Sequence, residues 1–373
     1  RTRRSGWHFA PCIRLADALS VTTMSRLRIA IVGAGSMGQA HLAVVQRSAL
    51  CTVSALVDPS PAAAHVAQHA GVPLYPTLDQ LIERDRPDGL ILATPNTLHA
   101  DQALWCIARG VPALIEKPLA ATVPDALTIV EAVDRTGAKV LVGHHRAHSP
   151  IMAHARQLVA DGRLGPIVAV MGSALFYKPD QYFVDGPWRT GPGAGPVLLN
   201  MIHEVHNLRM LCGDIAAVQA LGSRHTRGFP VEDTVAITLR FASGALGTFM
   251  LSDTAASARS WEQTSKENPI YAHYDDEDCY VIAGTFGSLA IPTMRLKTWG
   301  KADDRSWRTH FDIGQGETTR EDPLARQLAH FADVIRDDVT PLVSARDGLC
   351  NVRVTQAILD AVRAGTTITI SPD

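Results

Sequence analysis

Residues 33–38, Gly-Ala-Gly-Ser-Met-Gly, stand between an apolar run, Leu27 to Val32, and a helix-compatible stretch, Met37 to Arg47. A G-x-G-x-x-G loop in that position restricts the chain to few folds, because each glycine has a task. Gly33 makes the tight turn, Gly35 lets the backbone approach a pyrophosphate, and Gly38 lets the helix pack closely on the strand. The free N–H groups and positive dipole end of the helix, with Ser36 and Met37 in its first turn, then offer an anion site. Alone, the motif could be an ordinary turn. Here the next apolar run, Val53 to Val57, ends in Asp58, near the spacing of about 20 residues at which an acid binds a ribose diol; the plainer role for Asp58 is an Asx turn before Pro59. A carboxylate there repels a 2′-phosphate, and no Lys or Arg follows at once to bind one, so NAD is expected ahead of NADP.

Further apolar runs at Gly89 to Ala93, Ala113 to Ile115 and Val140 to Val142 alternate with helix-compatible segments at Pro61 to His69, Leu78 to Glu83, His99 to Arg109 and Val123 to Thr136. Such runs are strands buried on both faces, and strict alternation with helices means a doubly wound parallel sheet, an α/β Rossmann domain over residues 25–143. After that the rhythm changes. A helix near Pro150 to Ala160 precedes strand candidates at Pro166 to Ala174, Ile215 to Leu221, Thr234 to Phe241, Ala245 to Ser252, Tyr280 to Ala283 and Ser288 to Pro292, with turns such as Ala242-Ser243-Gly244 between them. Residues 144–373 are expected to form an α+β domain with a large, mainly antiparallel open sheet, serving substrate and oligomer contacts. Two amphipathic stretches close the chain, Arg320 to Arg336 and Ala345 to Ala364, the last able to pack back on the first domain. Glu262 to Asp278 reads as a polar, acidic loop.

With 46% hydrophobic residues in 373, the chain has apolar material for two cores. Its 35 Lys and Arg against 37 Asp and Glu create no field that recruits nucleic acid or an anionic membrane, and no apolar run reaches the roughly 18–20 residues of a spanning helix. The expected partner is a small molecule. Six cysteines lie singly, without a C-x-x-C pair, as reduced thiols of a cytoplasmic enzyme do. Residues 1–24, with Arg1, Arg3 and Arg4, lack the clean apolar segment and cleavage site of a targeting signal; they read as an extension outside the fold, Met24-Ser25 being the natural start.

Three more segments fall where strands of the first domain end: Ala93-Thr94-Pro95-Asn96-Thr97-Leu98-His99, Glu116-Lys117-Pro118 and Gly143-His144-His145-Arg146. With the glycine loop, they make the chain from about residue 27 onward resemble the glucose-fructose oxidoreductase, inositol dehydrogenase and MocA (Gfo/Idh/MocA) family, Glu-Lys-Pro being the most specific element. The resemblance implies an NAD(P)-dependent dehydrogenase moving hydride between a nicotinamide and a secondary alcohol of a sugar, cyclitol or related polyol. It places Lys117 beside the nicotinamide and the reacting hydroxyl, and Glu116, Thr94, Pro95, Asn96 and His99 around the cofactor. It also implies a cis bond before Pro118 and a homodimer or homotetramer. The residue chemistry agrees: alcohol oxidation needs a group to take the hydroxyl proton, and a lysine emerging from a buried strand end is partly desolvated, which favours its neutral form. The plainer reading is an ion pair with Glu116, although adjacent strand residues point to opposite faces.

Gly191-Pro192-Gly193-Ala194-Gly195 leads into a helical stretch, Val197 to Leu211, carrying Asn200, His203, Glu204, His206 and Asn207. This is similar to the family's glycine-rich segment and Asp-x-x-x-His pair. His203 falls on the catalytic histidine, but Leu199 stands at the Asp position and His206 at that of a later acid. Asn200 lies on the same side of the helix as His203 and, as a substrate-binding candidate, can orient a hydroxyl without carrying its proton. Arg146 and Arg189 are candidate carboxylate clamps, the basis of an alternative reading as a cis-dihydrodiol dehydrogenase of an aromatic carboxylate. The absent acid at 199 supports a third, a non-catalytic NAD(H)-binding sensor or scaffold. The pairs His203/His206 and His144/His148 have helical spacing but no third ligand nearby, so no metal is expected.

Overall fold

The computed structural model describes residues 25–316, 319–337 and 339–371; the segment 1–24, read as an extension, lies outside the described residues. The first half runs β1 (Leu27–Val32), α1 (Ser36–Arg47), β2 (Cys51–Val57), α2 (Ala62–Ala70), β3 (Leu74–Tyr75), α3 (Leu78–Arg84), β4 (Gly89–Leu92), α4 (His99–Ala108), β5 (Ala113–Glu116), α5 (Val123–Thr136) and β6 (Val140–Gly143). All six strands are parallel, in the order β3-β2-β1-β4-β5-β6. Ile29, Ala30, Ile31, Leu90, Ile91, Leu92, Leu114 and Ile115 are wholly buried, as strands covered by helices on both faces must be. The order reverses between β1 and β4, and the carboxyl ends of the strands at that crevice are where an open α/β sheet binds its ligand.

The second half continues with α6 (Pro150–Ala160), β7 (Ile167–Leu175), α7 (Asp180–Val184), a π-helical turn (Val197–Met201), α8 (Ile202–Cys212), β8 (Ile215–Ser223), β9 (Thr234–Phe241), β10 (Leu246–Ser252), α9 (Trp261–Thr264), β11 (Tyr280–Gly284), β12 (Gly287–Ile291), β13 (Arg295–Thr298), β14 (Asp312–Gln315), α10 (Pro323–Ile335), α11 (Ala345–Ala364) and β15 (Ile368–Thr369). Nine strands form one sheet, ordered β14-β13-β12-β11-β7-β10-β9-β8-β15, antiparallel except where β7 meets β10. Burial alternates along β9 and β10: one face packs on α6, α8 and α11 and the other is open.

The two halves are tied together by the C-terminal helices. Leu328 and Phe331 of α10 and Leu349 of α11 join the first core, while Val354, Ile358 and Ala361 of α11 join the second. A capping box of Ser344 and Asp347 starts α11, fixing the helix that spans both cores. Among the described residues no helix is long and apolar enough to cross a membrane.

Candidate active site

The glycine loop follows β1. A Cβ at Gly33, whose φ is +99°, would lie 2.6 Å from the Ala93 carbonyl oxygen, and one at Gly38 would lie 1.9 Å from that of Gly33. A Cβ at Gly35 would meet nothing within 4 Å. Two glycines therefore let helix and strands pack, and the third leaves an open cradle. Helix α1 has no side-chain cap and no acid in its first turn, whereas α3, α5, α6 and α11 are capped by Thr77, Thr122, Ser149 and Ser344. An uncapped, exposed N-terminus beside a free glycine face fits a pyrophosphate. Asp58 accepts from the Ala34 N–H and the Ser60 N–H, each at 2.8 Å. Burial opposes its ionisation, but these bonds prevail and hold its carboxyl below the usual carboxylate range. The Asx turn is thus present, and the same carboxylate is fixed against the loop.

The loop after β4 is held from behind. The His99 ring, 1% exposed, bonds to the carbonyls of Thr94 at 2.9 Å and Pro118 at 2.8 Å, and the Thr94 hydroxyl donates to Gln102. His99, expected around the cofactor, joins the β4 and β5 loops and so fixes the backbone at Thr94. Glu116 is held in a similar way. Its buried carboxylate accepts from the Lys117 N–H and bonds to Nε2 of His41 on α1 at 2.8 Å, so it braces the helix that carries the glycine loop. Burial works against its charge, yet His41 holds its carboxyl below the ordinary range.

Lys117 points the other way, as alternation along a strand requires. Its Nζ donates to the Leu199 carbonyl at 3.2 Å, across the boundary between the halves, and the Lys117–Pro118 peptide is cis. Burial, the largest effect, lowers the lysine pKa; Glu116 opposes this and Arg146 adds to it. The acceptor belongs to the turn where sequence periodicity predicts an unbroken α-helix from Val197: the first five residues are π-helical. Gly195, at φ +90°, packs against Glu232, whose carboxylate accepts from the Val197 N–H, and the turn is wound one residue wider than α before α8 begins. Asn200 accepts at Oδ1 from Lys178 Nζ at 2.7 Å.

His203 follows, 7% exposed, with its Nδ1 buried and unpartnered. With Leu199 where an acid would stand, no carboxylate supports the ring. Burial, then Lys117 and Arg146, push its pKa well below the ordinary value. His145 packs edge-on at 5.2 Å between ring centroids, His144 at 5.9 Å, and His206 stacks on His144 at 4.6 Å. Asn351 of α11 bonds to both His144 and His206 at 3.0 Å. This histidine layer is a packed domain boundary; among the described residues no three His, Cys, Asp or Glu are grouped to hold a metal.

Of the two arginines read as substrate clamps, Arg146 is ion-paired within the protein, while Arg189 keeps a buried Nε without a hydrogen-bond partner. Arg146, 3% exposed, donates to Glu204 at 2.5 Å and to Glu262, and Tyr280 donates its hydroxyl to Glu204. The sequence supplied the cation but not its partners, one of which is 116 residues downstream. Arg189 lies over the Tyr182 ring at 3.9 Å and donates to the Tyr182 carbonyl. Lys178 and Glu262, by contrast, reach the site and were not singled out in the sequence: Lys178 lies beyond the strand read at Pro166 to Ala174, and Glu262 reads as part of an acidic loop.

A family profile described as an oxidoreductase family with an NAD-binding Rossmann fold matches residues 27–144, and one for the Gfo/Idh/MocA C-terminal domain matches residues 152–290. The inositol 2-dehydrogenase of Arthrobacter sp. (strain FB24) is 30% identical over 75% of this chain and 84% of its own. The chain belongs to the Gfo/Idh/MocA oxidoreductase family. The rhizopine catabolism protein MocA of Rhizobium meliloti is 31% identical over 51% of this chain and 58% of its own. The WlbA dehydrogenase of Bordetella pertussis, solved with NADH and UDP-GlcNAcA, superposes with a TM-score of 0.75 at 21% identity, covering 94% of this chain and 100% of that one. As a Gfo/Idh/MocA oxidoreductase the chain takes NAD, and the Gly35 cradle, the open end of α1 and Asp58 are the residues that would hold it.

Proposed function

We propose that this chain oxidises a secondary alcohol of a cyclitol, sugar or related polyol, with Lys117 and His203 handling the hydroxyl proton and Asn200 orienting the substrate. Bound NAD supplies the hydride acceptor. The observation that carries the reading is Lys117 itself: an ammonium at a strand end beside the nucleotide crevice, without a carboxylate bonded to its Nζ, held on the Leu199 carbonyl one turn before His203. A lysine so placed loses its proton more readily than one in water and is suited to accept the hydroxyl proton. His203, kept neutral by burial, can bond the reacting hydroxyl through its ring but holds a proton poorly, so the proton passes by way of it rather than resting on it. Asp58 favours NAD over NADP.

The outer face of the second sheet carries Met171, Leu221, Leu246, Met250 and Ile313, all more than 40% exposed and in register on one side. An apolar sheet face of that extent fits a homodimer or homotetramer, acting in the cytoplasm. The aromatic-carboxylate alternative loses Arg146, which is paired with Glu204 and Glu262, and rests on Arg189 alone. The test is a panel of cyclitols, aldoses and sugar acids incubated with NAD and followed by nicotinamide absorbance, with a carbon-deuterated form of each active compound. Deuterium arriving on the nicotinamide supports the reading; NAD binding without turnover of any member would favour a sensor or scaffold.

A further inference from the structure

Lysine is scarce in this chain. Of 35 basic residues six are Lys, at 117, 139, 178, 266, 297 and 301, and the remaining 29 are Arg. Arginine holds its proton at any working pH, whereas a buried lysine can release it, so a rare lysine in an enclosed position is informative. Two of the six converge on consecutive residues of the π-helical turn: Lys117 on the Leu199 carbonyl and Lys178 on the Asn200 side chain.

Lys178 is built into its place. Its backbone N–H donates to the Asp253 carbonyl at 2.9 Å, and its own carbonyl accepts from Arg227 at 2.7 Å. The side chain is 12% exposed, unusual for a residue whose ammonium ordinarily stays in water. Asp253 Oδ2 lies 3.7 Å away, but Oδ1 of that carboxylate already accepts from Arg227 Nε at 3.0 Å. The Tyr182 ring sits 4.9 Å from Nζ. The bond to Asn200 uses one of three ammonium donors. A buried ammonium of this kind has no packing purpose that an apolar side chain would not serve better.

We propose that Lys178 is a second working lysine of this site, a positioning residue that orients the Asn200 amide on the π-helical turn whose Leu199 carbonyl holds Lys117. With Oδ1 of Asn200 held by Lys178, the amide N–H groups are turned away from it and are free to donate to a substrate oxygen. The groups facing Lys178 are Asp253 after β10, Glu262 on α9, Lys117 after β5 and Arg227. Burial lowers its pKa most, the two acids oppose this, and the two cations add to it, bringing Lys178 to about 8. Lys117 is thus one of the charges that depress Lys178, so the Lys178 midpoint reports on the charge at Lys117.

The inference rests on Lys117 being the proton-handling lysine, and the experiment separates the two claims. Six lysines give a small set of signals in the NAD-loaded protein labelled with 13C at lysine Cε, assignable with single variants and titrated from pH 6 to 11. Lys117 is expected to titrate below an ordinary lysine. Lys178 is expected to titrate at about 8 and, in Lys117→Met, to rise by roughly half a pH unit or more, because a neighbouring charge has gone; in Asn200→Ala, which removes the acceptor that favours its charged form, the Lys178 midpoint falls. Should Lys117→Met fail to fold, the Lys178 shift in Asn200→Ala decides the matter. A Lys117 that titrates like an exposed lysine overturns the proton-handling reading. A low Lys117 midpoint together with a Lys178 midpoint that ignores Asn200→Ala overturns the present proposal alone.

Discussion

The glycine loop allows fold and cofactor binding to be separated by two single methyl groups. At Gly38 an added Cβ would stand 1.9 Å from the Gly33 carbonyl oxygen; reaching even a 3.0 Å contact means moving α1 off β1 by more than about 1 Å, and overpacking of that kind costs about 1–3 kcal/mol or more. At Gly35 the new methyl meets no protein atom within 4 Å, and the backbone there, φ −71° and ψ −173°, is open to any L residue. The protein loses only a helix-cap preference of about 0.5–1 kcal/mol. The ligand loses more, because the methyl stands where pyrophosphate would meet backbone N–H groups; one such charge-assisted bond is worth about 1.5–3 kcal/mol, or roughly 10- to 150-fold in affinity. Thermal unfolding without ligand and calorimetry with NAD read the two effects. Gly38→Ala should lower the melting temperature and binding together, and Gly35→Ala should weaken NAD while the melting temperature barely changes. Near-normal NAD affinity in Gly35→Ala would show that the loop is a plain turn.

Asp58→Ala should weaken NAD much more than NADP, because it removes both the ribose acceptor and the charge that repels a 2′-phosphate; equal losses measured by calorimetry would contradict the assignment. Acid should destabilise the protein through its buried histidines. Burial depresses His145 and His206 to about 4 and His148 to about 3, with His144 and His203 also well below the ordinary value. The unfolded chain takes up protons through about 6.5 while the folded one does not, so stability is complete above that pH and falls from there toward about 4. Melting temperatures that stay flat between pH 7 and 4.5 would contradict this burial.

Much of the fold was legible because the first sheet is built from short, fully apolar strands in strict turn with helices. β1, β9, α5, α6 and α11 begin and end where periodicity predicts. β3 and β15, of two residues each, and β13 and β14, of four, were not seen: they lie at or next to a sheet edge, and their pairing is set by neighbouring strands rather than by their own composition. The π-helical turn was invisible for a related reason, since one extra residue per turn does not alter an apolar pattern over five residues. Within the site, residues at strand ends stood out, Gly33 to Gly38, Asp58 and Lys117 among them. What adjacency in sequence cannot reveal is the partner that a charged side chain finds. Arg146 joined Glu204 and Glu262, Glu116 joined His41, and His99 bridged two carbonyls. Lys178 and Glu262 entered the site only because β7 and α9 are brought there by the second sheet.

Substitution of Lys117 by Met tests the account at its centre, because it removes the ammonium and keeps an unbranched apolar stem. The cofactor's grip lies at the glycine loop and Asp58, so NAD affinity measured by calorimetry should stay within about threefold of wild type, whereas turnover of an active polyol should fall by about 10³-fold or more if proton transfer passes through this residue. A Lys117→Met protein that binds NAD and reduces it at near-normal kcat would contradict the assignment of the reaction to this lysine.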